Sequence, residues 1–112
     1  MVYKIEGESA WRAAEAAGVY FGSAADAADG FIHFSTAGQV KATAEKWFRG
    51  RAKLVLAAID AHKLGSALRF EPARGGELFP HLYGPLPMSA VLWSRPLPLQ
   101  ADGRHEIGAL EA

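Results

Sequence analysis

The sequence predicts a single α+β domain, in which helices pack against small, twisted, mostly antiparallel sheets. Three observations predict this class. The chain has 112 residues, the length of one ordinary domain. Half of the residues are hydrophobic, which is enough for a core. Short alternating or apolar runs, typical of strands, recur along the chain, whereas helical spacing is confined to two segments in its first half.

The chain is expected to begin with a strand, a helix and a loop. Residues 2–5 alternate and carry β-branched and aromatic side chains, which favours a strand. Ser9 is a good N-cap for the Ala-rich helix that follows, and Gly18 suits the left-handed position that ends a helix. Residues 20–30 are small and polar, and we interpret them as a loop of about ten residues, a length often associated with function.

A second short strand, residues 31–34, leads directly into the second helix. Thr36 and Gln39 have the spacing of a capping box, which marks the start of a helix. The helix is expected to end at Gly50. Its apolar face is formed by residues at helical spacing, namely Val40, Ala44, Trp47 and Phe48.

The next part of the chain reads as a buried strand, a helical turn and a half-exposed strand. The continuous apolar run 54–59 fits a central strand that is buried on both faces. Asp60 caps a short helical turn that Gly65 stops. Residues 68–71 alternate between apolar and charged side chains, as a half-exposed strand does.

The C-terminal part is expected to lie at the edge of the fold. Residues 78–87 hold three prolines, so we predict an extended edge or a loop rather than a central strand. Residues 88–94 form the last predicted strand. The domain is assigned to residues 1–96, and residues 97–112 are assigned to a C-terminal tail whose order the sequence does not determine. The expected core consists of Trp11, Val40, Ala44, Trp47, Leu54, Leu56 and Val91.

Charge and composition exclude several classes of function. Twelve Lys and Arg balance twelve Asp and Glu, which leaves no overall field to attract nucleic acid or an anionic membrane. Three cations near the end of the second helix, Arg49, Arg51 and Lys53, form only a local basic patch. The absence of cysteine excludes disulfides, thiol nucleophiles and cysteine metal sites. No segment resembles a signal peptide or a membrane span, so a cytoplasmic location is expected.

Two short segments carry the residue types needed for a site. In the first, His33 ends a strand, and Ser35 and Thr36 precede a helix, where hydroxyls and backbone N–H groups suit a phosphate. The alternative is that Ser35 and Thr36 are caps and His33 is a strand residue. In the second segment, His81 and Tyr83 share one face and offer a stacking platform for a flat ring. The alternative is an edge strand whose tyrosine packs on the core.

We predict that the side chains of His33 and His81 open into the same cleft. Glu71, Glu77 and Asp60 are the nearest carboxylates in sequence, and each is expected to be solvated or to act as a cap. No metal site is expected, because the histidines lack ligand spacing. The other two histidines, His62 and His105, are expected at the surface.

The order of these motifs resembles a small bacterial family, domain of unknown function 952. The resemblance is carried by Tyr3-Lys4-Ile5, Trp11, Gly18, Asp29 to Ser35, and Phe79-Pro80-His81-Leu82-Tyr83-Gly84. The family is placed among the ADP-ribosyltransferase-like folds, which bind NAD in a cleft between two packed sheets. The resemblance therefore implies an NAD or nucleotide cleft lined by His33, Ser35, Thr36, His81 and Tyr83.

More distantly, Ile32-His33-Phe34 is similar to a strand motif of RNA 2′-phosphotransferases from the same superfamily. Lys4 stands roughly where those enzymes carry a first-strand histidine, and their catalytic glutamate has only Glu71 or Glu77 as candidates. The resemblance thus implies a degenerate transferase that binds NAD, or another small phosphate-bearing ligand, with little turnover. The alternatives are a non-catalytic binding or protein-interaction module and a metal-dependent hydrolase.

Overall fold

The fold places short strands and helices in alternation along the chain. A computed structural model describes residues 1–112 apart from the side chain of Arg74. Across the described residues the strands are β1 Val2–Gly7, β2 Val19–Tyr20, β3 Ile32–His33, β4 Leu54–Ile59, β5 Leu68–Pro72, β6 Leu78–Leu82, β7 Leu86–Pro87 and β8 Val91–Leu97. The α-helices are α1 Glu8–Ala17, α2 Ala24–Asp29 and α3 Val40–Trp47, and 3₁₀ helices cover Ala61–Ala67, Arg74–Gly76 and Met88–Ala90.

The strands form small antiparallel sheets, as the α+β prediction requires. One sheet has the order β1-β4-β8, a second has the order β3-β6-β5, and β2 pairs with β7. An isolated bridge between Tyr3 and Ser35 joins the first sheet to the segment that follows β3. None of the helices within the described residues is both long and apolar enough to cross a bilayer.

Strand β4 lies at the centre of the first sheet and is buried on both faces, which confirms the prediction for residues 54–59. Its odd-numbered residues pack into one apolar cluster with Trp11 of α1. Its even-numbered residues pack into a second cluster with Val40 and Ala44 of α3. Successive side chains of a strand point to opposite faces, so one strand supplies both cores.

The predicted core is confirmed except at Trp47 and Val91. Trp11, Val40, Ala44, Leu54 and Leu56 are buried. Trp47 is 59% exposed, so its assignment to the core is wrong, and Val91 is only half-buried. Trp47 is the last residue of α3, and the next residue, Phe48, packs against the second cluster in its place.

The predicted loop 20–30 contains helix α2, so the described residues form three α-helices where two were expected. Ser23 and Asp26 form a reciprocal capping box that begins the helix, because each side chain accepts a hydrogen bond from the other residue's backbone N–H. Gly30 ends it in the left-handed conformation, at φ +85°. In the sequence, the Ser-x-x-Asp spacing indicates the start of this helix. The small residues around it are also typical of a loop, which is why the helix was missed.

Strand β6 is the central strand of its sheet, so the prediction of an edge or loop at residues 78–87 is wrong there. Pro80 lies inside the strand, and its carbonyl accepts a hydrogen bond from Phe34 N–H at 3.0 Å. The N–H and C=O of one antiparallel strand residue point to the same neighbour. The ring nitrogen of Pro80, which carries no hydrogen, therefore points towards β3, just beyond the end of that two-residue strand. The pairing of β6 with β5 loses no hydrogen bond.

Part of the C-terminal segment, which was expected to be a tail, packs on the domain. Leu97 is buried at the end of β8, and Ile107 and Leu110 pack against the second apolar cluster. His105 is buried rather than at the surface, and its Nε2–H donates to the Arg51 carbonyl at 2.7 Å. His62 is exposed, as expected.

Candidate functional site

His33 faces away from the core on β3, as strand alternation predicts. Its neighbours Ile32 and Phe34 are buried, whereas the imidazole is 37% exposed. The ring contacts two carboxylates: Nδ1 lies 2.6 Å from Asp26 Oδ1, and Nε2 lies 2.8 Å from Asp29 Oδ2. Both contacts are hydrogen bonds only when each ring nitrogen carries a proton. The two carboxylates therefore fix the orientation of this ring.

Asp26 is held in turn by a buried lysine from the first strand. Lys4 Nζ lies 2.8 Å from Asp26 Oδ2 and also donates to the His33 carbonyl at 2.9 Å. Burial alone would raise the pKa of Asp26, but the charge and hydrogen bond of Lys4, with help from Ser23 and His33, lower it to about 2. Asp26 is therefore an ionised, buried anchor that joins β1, α2 and β3.

His81 is oriented by a different carboxylate, across the β5–β6 pair. His81 Nδ1 lies 2.9 Å from Glu71 Oε1, and Tyr83 donates its hydroxyl to the same oxygen at 2.6 Å. These hydrogen bonds, first that of Tyr83 and then that of His81, lower the pKa of Glu71. The bond to Glu71 also raises the pKa of Tyr83. The structure brings Glu71 into the site, whereas Glu77 is exposed at the hairpin.

Phe31 joins the two imidazoles into one cluster. Its ring stacks on His81 with centroids 4.0 Å apart, and it lies 4.7 Å from His33 and 5.3 Å from Tyr83. The His33 and His81 ring centroids are 5.6 Å apart, so the two rings meet, and His81 itself is buried. Hereafter the histidine cluster means the four rings Phe31, His33, His81 and Tyr83, together with Asp26, Asp29 and Glu71.

The two imidazoles differ in what they can do chemically. Both nitrogens of His33 are paired with carboxylates. In His81 only Nδ1 is paired, and its Nε2 has no hydrogen bond to any described side chain or backbone atom. A carboxylate-oriented imidazole with one unpaired nitrogen can donate or accept a hydrogen bond, or exchange a proton with a ligand. Among the described side chains, no group of three or more His, Asp or Glu could hold a metal ion.

A shallow groove of about 230 Å³ adjoins the cluster. Phe31 and Asp26 belong to both, and the groove is completed by Phe21, Gly30, Gly84 and Pro85 among others. Ligand sites usually measure about 300–1,000 Å³, so this groove accommodates one flat ring rather than a whole dinucleotide.

A larger hollow of about 590 Å³ lies between α3 and the C-terminal segment and shares no residue with the cluster. Its carboxylates Glu45 and Asp102 lie near Arg104, at 3.4 and 4.0 Å. We place the site at the smaller groove, because it shares Phe31 and Asp26 with the histidine cluster.

Ser35 and Thr36 hold the fold together rather than extend the cluster. The Ser35 side chain is buried, and its Oγ lies 3.0 Å from Thr43 Oγ1. Thr36 donates its backbone N–H to the Gln39 side chain at 3.0 Å, which is one half of the expected capping box. Within the described part of the chain, no hydrogen bond joins either residue to the histidine cluster.

Comparisons with known proteins agree with the motifs that form this cluster. A family model described as "Protein of unknown function (DUF952)" matches residues 5–94, which include both histidines. The chain belongs to the DUF952 family. The match ends before the C-terminal segment that completes the core of this DUF952 protein.

Solved structures of one relative have the same fold. A crystal structure of protein CC0527 from Caulobacter crescentus is 51% identical, with a TM-score of 0.90, over 94% of this chain and 92% of that one. A solution NMR structure of CC0527 is 52% identical, with a TM-score of 0.83, over 92% and 89%. No curated protein matches the chain.

Proposed function

We propose that this DUF952 protein binds a nucleotide of the NAD class at the histidine cluster, and that its fold is ADP-ribosyltransferase-like. One observation carries the proposal: four rings converge at centroid distances of 4.0–5.6 Å beside a groove of single-ring size. Aromatic and imidazole faces favour the stacking of a flat heteroaromatic ring. The sequence resemblance to NAD-binding folds supports the same ligand class.

The residues fit one end of such a ligand better than the whole of it. Phe21 and Phe31 line the groove and offer apolar faces for a base or a nicotinamide ring. Arg69 lies 4.9 Å from the Tyr83 ring and offers a guanidinium for a phosphate. The hydroxyl of Ser35 is already paired with Thr43. One ring and one cation support modest affinity, since most of a dinucleotide would remain in water.

Glu71 supports a second candidate, slow cleavage of a nucleotide's glycosidic bond. Such a reaction needs a fixed negative charge beside the ribose as positive charge develops there. Asp26 is already neutralised by Lys4, whereas Glu71 is held in its ionised form by Tyr83 and His81 at the cluster. Both donors bind the same oxygen, Oε1, which leaves Oε2 for a ligand. Because an expected first-strand histidine is replaced by Lys4, we propose little turnover.

Calorimetric titration with NAD, ADP-ribose and nicotinamide mononucleotide tests the binding proposal. We expect heat of binding at millimolar ligand for the wild type and its loss in His33→Ala and Phe31→Ala. Phe70→Ala is the matched control, because Phe70 is an exposed ring on the opposite face of β5 from Glu71. No heat with the wild type rejects the nucleotide and favours the protein-interaction alternative.

A nicotinamide-release assay on the same proteins tests the second candidate. We expect release close to the background rate. Fast release that Glu71→Gln abolishes, and Glu77→Gln does not, would make the protein an enzyme with Glu71 as its catalytic carboxylate.

A further inference from the structure

An exposed tryptophan lies within a cationic segment on the surface of the protein. Residues 46–53 read Lys-Trp-Phe-Arg-Gly-Arg-Ala-Lys and contain four cations and no acid. Trp47 is 59% exposed, although an aromatic ring of this size is usually well covered. The next residue, Phe48, packs against the second apolar cluster.

The cations of this segment are not compensated by carboxylates. Lys46 Nζ lies 5.5 Å from the Trp47 ring, and the Arg51 guanidinium lies 5.1 Å from the Phe48 ring. Arg49 donates to the Asp102 carbonyl at 3.2 Å. Among the described residues, none of these cations, nor Lys53, forms a salt bridge. The helix dipole accounts for Lys46 in the last turn of α3, but not for the cations beyond it.

We propose that residues 46–53 bind single-stranded nucleic acid, with one base stacked on Trp47 and neighbouring phosphates on the four cations. An exposed aromatic ring interleaved with cations is the recognition pattern for unpaired bases and their backbone. A duplex is a poorer partner, because its base faces are already stacked. The absence of net charge removes long-range attraction, so binding depends on contacts within the segment and weakens steeply with salt.

An anionic membrane is the competing partner, and the surface suits it less well. Membrane-surface binding needs a broad apolar face on an amphipathic helix. Here Trp47 is the one large apolar side chain of the segment that is exposed, because Phe48 is half-buried. A single ring is enough to stack on one base.

Fluorescence anisotropy of labelled oligo(dT) and oligo(U) at several salt concentrations tests this proposal. We expect binding at low salt, and Trp47→Ala should weaken it at least about fivefold, since one stacked base contributes about 1–3 kcal/mol. The double variant Lys46→Gln/Arg51→Gln should lower the slope of log K against log salt by about 1.4, which is about 0.7 for each lost phosphate contact. All three side chains lie at the surface, so the variants should fold.

Phe70→Ala and Lys41→Gln are the matched controls, because both residues are exposed and lie outside the segment. They should bind like the wild type. The proposal is overturned if the wild type binds no oligonucleotide at low salt, or if Trp47→Ala binds as tightly as Phe70→Ala. It is also overturned if duplex DNA binds as tightly as the single strand, or if only phosphatidylglycerol vesicles bind.

Discussion

The buried pair of Lys4 and Asp26 allows a quantitative prediction about acid stability. Asp26 has a pKa of about 2 in the folded protein against an ordinary value of 3.8. A difference of nearly two units corresponds to about 2 kcal/mol of folding free energy. Because the folded pKa is the lower one, this stabilisation is complete above about pH 4 and is lost as the pH falls towards 2.

Asp26→Asn should therefore have two effects in urea denaturation. At pH 7 it leaves the Lys4 ammonium buried without its counter-charge, which costs about 3–5 kcal/mol. Between pH 4 and pH 2 the variant should lose about 2 kcal/mol less stability than the wild type, because the titrating group is gone. If Asp26→Asn does not fold, the double variant Lys4→Met/Asp26→Asn removes the charge together with its partner and permits the same comparison.

Asp29→Asn is the matched control, because Asp29 also contacts His33 but its side chain is 55% exposed. It should cost less than about 1 kcal/mol at pH 7. The assignment of Asp26 as the buried anchor would be refuted if the two Asp variants lost equal free energy of unfolding at pH 7. It would also be refuted if the stabilities of Asp26→Asn and the wild type fell in parallel from pH 4 to pH 2.

Two further pairs of variants test the packing of the fold in the same denaturation assay. Trp11→Ala should cost about 3–5 kcal/mol, whereas Trp47→Ala should cost less than about 1 kcal/mol, since only the first ring is fully buried. Gly22→Ala should cost more than about 1 kcal/mol, because φ is +105° and a Cβ would lie 2.8 Å from Asp26 Cβ. Gly7→Ala, which has open space around it, should be milder. The described packing would be contradicted if the two Trp variants, or the two Gly variants, lost similar free energies of unfolding.

The sequence predicted the parts of the fold that depend on local alternation. Strand β4 was recognisable as a run of apolar residues, and the exposure of His33 followed from its buried neighbours Ile32 and Phe34. The proximity of His33 and His81 followed from placing both on strand segments near one cleft. The structure adds that these two residues are direct partners in the β3–β6 register.

The remaining site residues depend on tertiary contacts that local patterns do not encode. Glu71 contacts His81 as a diagonal neighbour across the β5–β6 pair, because the register places Arg69 directly opposite His81. The sequence of one strand does not determine its register with the next strand. Asp26 lay in the predicted loop 20–30, whereas the structure places it on α2, beside Lys4. Trp47 fitted the apolar stripe of α3, but it is the last residue of that helix and is 59% exposed.

The most direct test of nucleotide binding at the histidine cluster is an NMR titration of the four histidine rings with NAD. The His33 and His81 rings should shift together with one apparent Kd, because they lie 5.6 Å apart in one cluster. The signals of His62, which is exposed and makes no described contact with the cluster, and of His105, which lines the larger hollow, should not move. Unchanged His33 and His81 signals at millimolar NAD, or shifts confined to His105, would contradict the account.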